Sequence, residues 1–136
     1  MTRDYRPLPG TPVEDLDTPC FILDLDLMDR NMQIMTDYYS GKFCKLRPHT
    51  KNHKTPALAL RQIRMGGTVG GVCTQTLTEA EVMVEGGVPC VVITNNIVTK
   101  PKIDRLCALS RQGDIMVLCD DPRNVRHLSE GAQEAG

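Results

Sequence analysis

A chain of 136 residues with 40% hydrophobic and 24% charged residues has the size and apolar content of one globular domain, not of a disordered segment. Its 16 basic and 17 acidic residues leave a formal net charge of -1, with no basic stripe for nucleic acid and no polybasic cluster for anionic lipid. No apolar run approaches the roughly 20 residues of a membrane helix, and the polar, proline-rich start does not read as a secretory signal.

Residues 1–19 read as an extended arm ending at Pro19. CFILDLD (20–26) is apolar and β-prone, which predicts a strand. Leu27, Met28, Met32, Ile34, Met35, Tyr38 and Tyr39 then recur at helical spacing, with Asp26 as the expected N-cap and Gly41 as the stop. The methionines on that helix read as core filler. CKLRPHTK (44–51) reads as a strand, an unusual one because it holds Pro48. TPALALRQIRM (55–65) predicts a helix capped by Thr55, with Pro56 in its first turn and Gly66-Gly67 behind it.

The alternation continues. TVGGVCT (68–74) predicts a strand. LTEAEVMVEGG predicts a helix, with Thr78 and Glu81 as its capping box. PCVVITNN (89–96) predicts a strand and KPKIDRLCALSRQG a helix closed by Gly113. DIMVLCDD (114–121) predicts a strand, and a final helix runs to Gly136. Strands alternating with helices imply parallel βαβ units, and continuous apolar strands imply a sheet covered on both faces. An open doubly wound sheet could be complete with these strands. A closed (β/α)8 barrel could not, because it takes about 250 residues. The GGTVGG run (66–71) lacks the following helix N-terminus of a dinucleotide fingerprint and reads as a helix stop with close packing.

Six cysteines (Cys20, Cys44, Cys73, Cys90, Cys107 and Cys119) form no CxxC pair. This argues against a zinc knuckle or a thioredoxin-type motif. Cys20, Cys73, Cys90 and Cys119 sit in or beside apolar, strand-like runs, so buried, reduced thiols and a cytoplasmic location are the expectation.

The segment that carries chemistry is KLRPHTKNHK (45–54). Strand alternation puts Lys45, Arg47, His49 and Lys51 on one face and Leu46, Pro48 and Thr50 on the other. Four basic groups on one side of a buried strand need water, an anion or a cofactor to offset their desolvation. Lys51 falls at the C-terminal strand end, where α/β proteins place their sites. A desolvated amine crowded by cations is a usable nucleophile for a carbonyl. The alternative is an edge strand whose basic residues face solvent.

RPHTKNHK resembles the signature of the D-threonine aldolase and D-serine dehydratase group, whose members are similar to the N-terminal barrel of alanine racemases. LDTPCFILDLDLMDRNMQIM, GVCTQTLTEAEVMVEGGV and VVITNNIVTKPKIDRL resemble successive stretches of the same family, so the resemblance covers residues 16–136. It implies an α/β fold, a partial TIM-type (β/α)8 barrel of about half the full set. Residues 20–43 would form the first strand and helix leading from a separate β domain. Residues 44–136 would be the first half of the barrel that binds pyridoxal 5'-phosphate, with strands at 45–51, 68–74, 89–95 and 114–120. The rest of the barrel and the β domain would be absent.

The resemblance makes Lys51 the cofactor-holding amine, with Lys54 the alternative. His49 is either a hydrogen-bonded structural histidine or a partner near the cofactor. Arg47 lies two residues deeper and would tune charge around Lys51. Gln75 and Asn95 fall where side chains reach a barrel mouth, as Thr74 does with a weaker claim. His49 and His53 have i, i+4 spacing across a strand end, which does not suit a shared zinc, and His127 reads as a surface residue. No metal ligand is assigned. A divalent metal (Mn, Mg or Zn) would be held by the absent C-terminal region.

The implied function is metal-activated cleavage of D-3-hydroxy amino acids to glycine and an aldehyde. Dehydration of D-serine, a non-catalytic cofactor carrier and an inactive fragment are the alternatives. The expected partners are a small D-amino acid and, at full length, a second copy in a homodimer, with neither nucleic acid nor membrane.

Overall fold

The computed structural model describes residues 6–136. The first five residues of the expected arm lie outside that range. The rest of the arm carries a turn at Pro9–Gly10, closed by the Thr11 N–H on the Leu8 carbonyl at 3.0 Å, and a 3-10 turn at Val13–Asp15.

The predicted strand at 20–26 does not form. Cys20–Leu23 has no ladder partner, Phe21 is fully exposed, and the chain goes directly into helix α1 (Leu25–Tyr39). β-propensity describes a side chain that fits a half-buried pleated surface, and no such surface adjoins this segment. The cap is Asp24, not Asp26: its carboxylate accepts the Leu27 N–H at 2.9 Å.

Helix α2 (Pro56–Met65) starts at the proline, as read, and ends at Gly66, whose φ of 95° only glycine adopts readily. Strand β1 is Val72–Thr74, and helix α3 (Leu77–Glu85) follows. Its cap is Thr76, not Thr78, and its capping glutamate is Glu79, not Glu81. Thr76 Oγ1 accepts the Glu79 N–H at 3.2 Å, while Glu79 Oε2 reaches back to the Gln75 N–H at 2.8 Å. Strand β2 (Cys90–Ile93), helix α4 (Lys100–Leu109), strand β3 (Asp114–Val117) and helix α5 (Pro122–Ala135) complete the chain. Asp121 caps α5 through the Arg123 N–H at 2.7 Å, ahead of a proline at the first helical position.

The three strands are parallel in the order β1-β2-β3, with Val72 beside Val91 and Val91 beside Ile115. The segment expected as a strand at 44–51 lies alongside β1 but makes only two parallel bridges, Leu46 with Thr68 and His49 with Cys73. Pro48 has no N–H to give, and its carbonyl still accepts the Cys73 N–H at 2.7 Å. Between the bridges the β1 side carries two more residues than its neighbour, a bulge at Val69–Gly71 that confines β1 to three residues.

One face of this sheet is dry. Val72, Val91 and Ile93 are buried against Leu77, Ala80 and Met83 of α3, with Ile103, Leu106 and Leu109 of α4 in the same core. Burying a side chain of this size stabilises the fold by about 1.5–3 kcal/mol. The opposite face, with Cys73, Val92 and Met116, has no covering layer among the described residues, and Met116 and Leu118 are exposed there. Helix α1 buries none of its residues; it meets α2 through the Asp29–Arg61 ion pair and lies against Gly67, where a Cβ would come 2.9 Å from the Thr36 Cα. No helix among the described residues is long and apolar enough to cross a membrane.

Candidate functional site

The open face owes its polarity to residues 47–51. Pro48 and Thr50 are buried on the helix side, and Thr50 is tied to the Cys73 carbonyl through both its N–H at 2.9 Å and its hydroxyl at 3.2 Å. That anchoring fixes the alternation. Arg47 and His49 therefore lie over the open face, and Lys51 follows in the turn after the second bridge.

His49 has both ring nitrogens engaged. Its Nδ1 accepts the Lys51 N–H at 3.2 Å, so that nitrogen carries no proton. Its Nε2 lies 3.2 Å from Thr94 Oγ1, and that hydroxyl spends its own proton on the Thr74 carbonyl at 2.9 Å. Thr94 must therefore accept, and His49 donates from Nε2–H. One relay thus joins the ends of β1 and β2 to the backbone of Lys51. Burial holds the His49 pKa below the ordinary imidazole value, the Lys51 cation adds to the effect, and Glu79 opposes it.

Lys51 is exposed, and its ammonium makes no hydrogen bond or ion pair among the described residues. Lys54 differs. It sits at a φ of 51°, its N–H donates to the Thr50 carbonyl at 2.8 Å, and its Nζ pairs with Glu79 Oε1 at 3.1 Å. Glu79 is the more buried partner, with 12% of its side chain exposed. Burial raises the Glu79 carboxyl pKa, but the Gln75 N–H, the Lys54 ammonium and the Thr76 backbone together outweigh burial and leave it below the usual carboxylate range.

Other side chains stand where the sequence did not put them. Lys45 leaves the basic face and donates to the Tyr39 carbonyl at 3.0 Å, because the chain before the first bridge still follows α1. Arg47 turns across the sheet to Cys90 Sγ at 3.2 Å, through space that exists only because residue 71 is glycine; a Cβ there would lie 2.5 Å from the guanidinium. Cys73 lies in the same region, where burial raises its pKa and Arg47 counteracts that.

Gln75 and Asn95 do meet at the rim, but through the backbone: Asn95 Nδ2 donates to the Gln75 carbonyl at 2.9 Å. The Thr74 hydroxyl is buried without a partner, and β1 alternation turns it toward the helices, away from the rim. His53 is half-buried, and its Nδ1 accepts the Thr55 N–H at 3.1 Å. His127 is exposed on α5. Among the described residues no three His, Cys, Asp or Glu side chains come together as metal ligands.

Two residues of this arrangement, Thr94 and Glu79, were not among the sequence candidates. Thr94 shares alternation with Cys90 and Val92, which places it on the open face. Glu79 is three residues after Thr76, a capping-box spacing as good as that of Thr78 and Glu81.

No protein-family model matches the chain. It is 40% identical over 134 residues to the 3-hydroxy-D-aspartate aldolase of Paracoccus denitrificans, covering 98% of this chain and 34% of that protein. It is 35% identical over 128 residues to a D-threonine aldolase of an Arthrobacter species, covering 94% and 33%. The crystal structure of D-threonine aldolase from Filomicrobium marinum matches with a TM-score of 0.85 at 46% identity, over 91% of this chain and 33% of that one. The chain therefore spans about a third of the length of these homologues.

Proposed function

We propose that this chain is the cofactor-holding part of an aldolase that cleaves D-3-hydroxy amino acids to glycine and an aldehyde, with Lys51 as the amine that binds pyridoxal 5'-phosphate. One observation carries the assignment: of the two lysines on this turn, Lys51 is exposed with no partner for its ammonium among the described residues, while Lys54 is held by Glu79. The homologues named for 3-hydroxy-D-aspartate and D-threonine support the reaction class.

The donor set fits the cofactor. An aldehyde needs an unpaired amine, and the Lys51 amine is one. An anionic ester needs cations; Arg47 lies on the same face, with one guanidinium nitrogen on Cys90 Sγ, while His49 has both ring nitrogens engaged and serves to fix the Lys51 backbone. When bound, the cofactor supplies an electron sink for the bond that breaks at the α carbon. His49 orients the Lys51 backbone through Nδ1, and Thr94 keeps that nitrogen the accepting one. Gln75 and Asn95 close the rim by joining the ends of β1 and β2.

In this reading the bridged segment and β1–β3 are the first four strands of a (β/α)8 barrel, and the uncovered face is its interior. The remaining strands, the β domain and the residues that hold a divalent metal against the substrate hydroxyl come from outside residues 6–136. A cytoplasmic homodimer is part of the same reading. Incubating the intact protein, loaded with pyridoxal 5'-phosphate and Mn(II), with D-threonine and with 3-hydroxy-D-aspartate tests it. Glycine with the matching aldehyde is the expected product pair. Loss of ammonia with a keto acid would replace cleavage by dehydration, and no turnover of either substrate would reject the function.

A further inference from the structure

Lys51 and Lys54 are three residues apart on one short turn, and both are exposed. Exposure alone gives a small aldehyde no reason to prefer one. We propose that Glu79 is a positioning residue that makes the choice, by reserving Lys54 and leaving Lys51 as the amine that reacts. This rests on the assignment of Lys51 above and extends it to the residue that enforces it.

The argument is geometric. Glu79 sits in the first turn of α3, its N–H fixed by Thr76 Oγ1 and its Oε2 fixed by the Gln75 N–H, so its carboxylate has little freedom to move. The remaining oxygen, Oε1, receives Lys54 Nζ at 3.1 Å. The Lys54 backbone is fixed as well, by the bond from its N–H to Thr50 and by its left-handed φ. Its side chain therefore lines a groove with Thr76, Thr78, Val82 and Met83 on the α3 side of the sheet. Lys51 has no such partner among the described residues, and its N–H is held by His49 Nδ1 at 3.2 Å.

Capture of an aldehyde requires an unprotonated amine. The nitrogen lone pair forms the new C–N bond, the amine protons are lost, and the carbonyl oxygen leaves as water. An ammonium whose protons point at a fixed carboxylate must break that pair before it can react. An exposed pair of this kind shifts the balance about two- to fivefold, the equivalent of the upper range for a surface salt bridge. Selection needs no more than a bias when both amines compete for one molecule of reagent.

The test is limited labelling of the intact protein with substoichiometric pyridoxal 5'-phosphate. Borohydride reduction of the C=N bond and peptide mapping then give the share on each lysine. Wild type is expected to carry the label on Lys51. Glu79→Gln keeps an acceptor for the Gln75 N–H but loses the charge, and the ratio of Lys54 to Lys51 label is expected to rise about two- to fivefold. Lys54→Arg is expected to leave the Lys51 label at the wild-type level. Reductive methylation of cofactor-free wild type with limiting formaldehyde reads the same bias without any variant: Lys51 reacts faster, and about 1 M salt narrows the gap by screening the pair.

Label on Lys51 in wild type with an unchanged distribution in Glu79→Gln would overturn the role of Glu79 while leaving Lys51 in place. So would equal methylation of both lysines at low salt. Label absent from Lys51 in wild type would instead overturn the assignment on which this inference rests.

Discussion

Replacing Gly71 with alanine sets two effects of opposite sign against each other. Gly71 does not occupy the left-handed region, so alanine can adopt its backbone, and the reduced freedom of the unfolded chain would stabilise the fold by about 0.4–1 kcal/mol. Against this, the new Cβ would lie 2.6 Å from the Cys90 carbonyl oxygen, 2.8 Å from the Cys90 Cβ and 2.5 Å from Arg47 Nη1. The guanidinium is the end of a flexible side chain and can swing away. The Cys90 carbonyl belongs to β2 and moves only with the sheet, so overpacking there costs about 1–3 kcal/mol. Strain wins, with a net destabilisation of about 1–2 kcal/mol.

Gly113 provides the contrast. It too lies outside the left-handed region, and its Cβ would meet Val84 Cγ1 at 3.4 Å, an ordinary contact. Gly113→Ala should therefore stabilise by about 0.4–1 kcal/mol. Urea unfolding of the two variants reads both signs. Gly71→Ala should lower the midpoint by about 0.5–1 M and Gly113→Ala should raise it by a few tenths. A Gly71→Ala midpoint at or above wild type would refute the close approach of strand to strand on which the path of Arg47 depends.

Met83→Ala empties a fully buried position between α3 and the sheet and should cost about 2–5 kcal/mol in the same assay. Thr94→Val removes the acceptor for His49 Nε2–H, and a net loss of about 1 kcal/mol is expected, since the Thr74 carbonyl keeps the Thr94 N–H at 2.9 Å. Imidazole 15N chemical shifts should show the His49 Nε2–H signal moving in that variant while Nδ1, still held by the Lys51 N–H, stays unprotonated. Burial depresses the pKa of both His49 and His53, so the unfolded chain binds protons first. Their contribution is complete above about pH 6.5 and is lost as pH falls through the lower folded values. Glu79, also depressed, adds a second loss below about pH 4.3 that Glu79→Gln should remove from the denaturation profile.

The helices were the most legible part of the sequence. Pro56, Pro101 and Pro122 each stand in a first turn, and in α3 and α4 the apolar spacing marks the face that turns inward, whereas the methionine-rich α1, read as core filler, buries none of its residues. The strands were legible in place but not in extent. A β-prone run forms a ladder only beside a partner, which Cys20–Leu23 lacks, and Pro48 with the bulge at Gly70 and Gly71 breaks the first pairing into single bridges.

Alternation within 45–51 puts Arg47 and His49 on the open face, although the Arg47 guanidinium then turns across the sheet to Cys90. It failed at Lys45, because alternation holds only where the chain is paired on both sides of the residue. Local pattern marks Glu79 as a capping residue and Thr94 as open-face, but their partners, Lys54 and His49, lie 25 and 45 positions away in sequence, distances that no local pattern spans.

The direct test of Lys51 is whether removing that one amine removes the cofactor. Intact wild-type protein, Lys51→Ala and Lys54→Ala would each be saturated with pyridoxal 5'-phosphate and passed through a desalting column. Wild type and Lys54→Ala should keep the visible absorption of the bound cofactor, and Lys51→Ala should emerge colourless. A Lys51→Ala protein that retains the band at wild-type intensity would contradict the account at its centre.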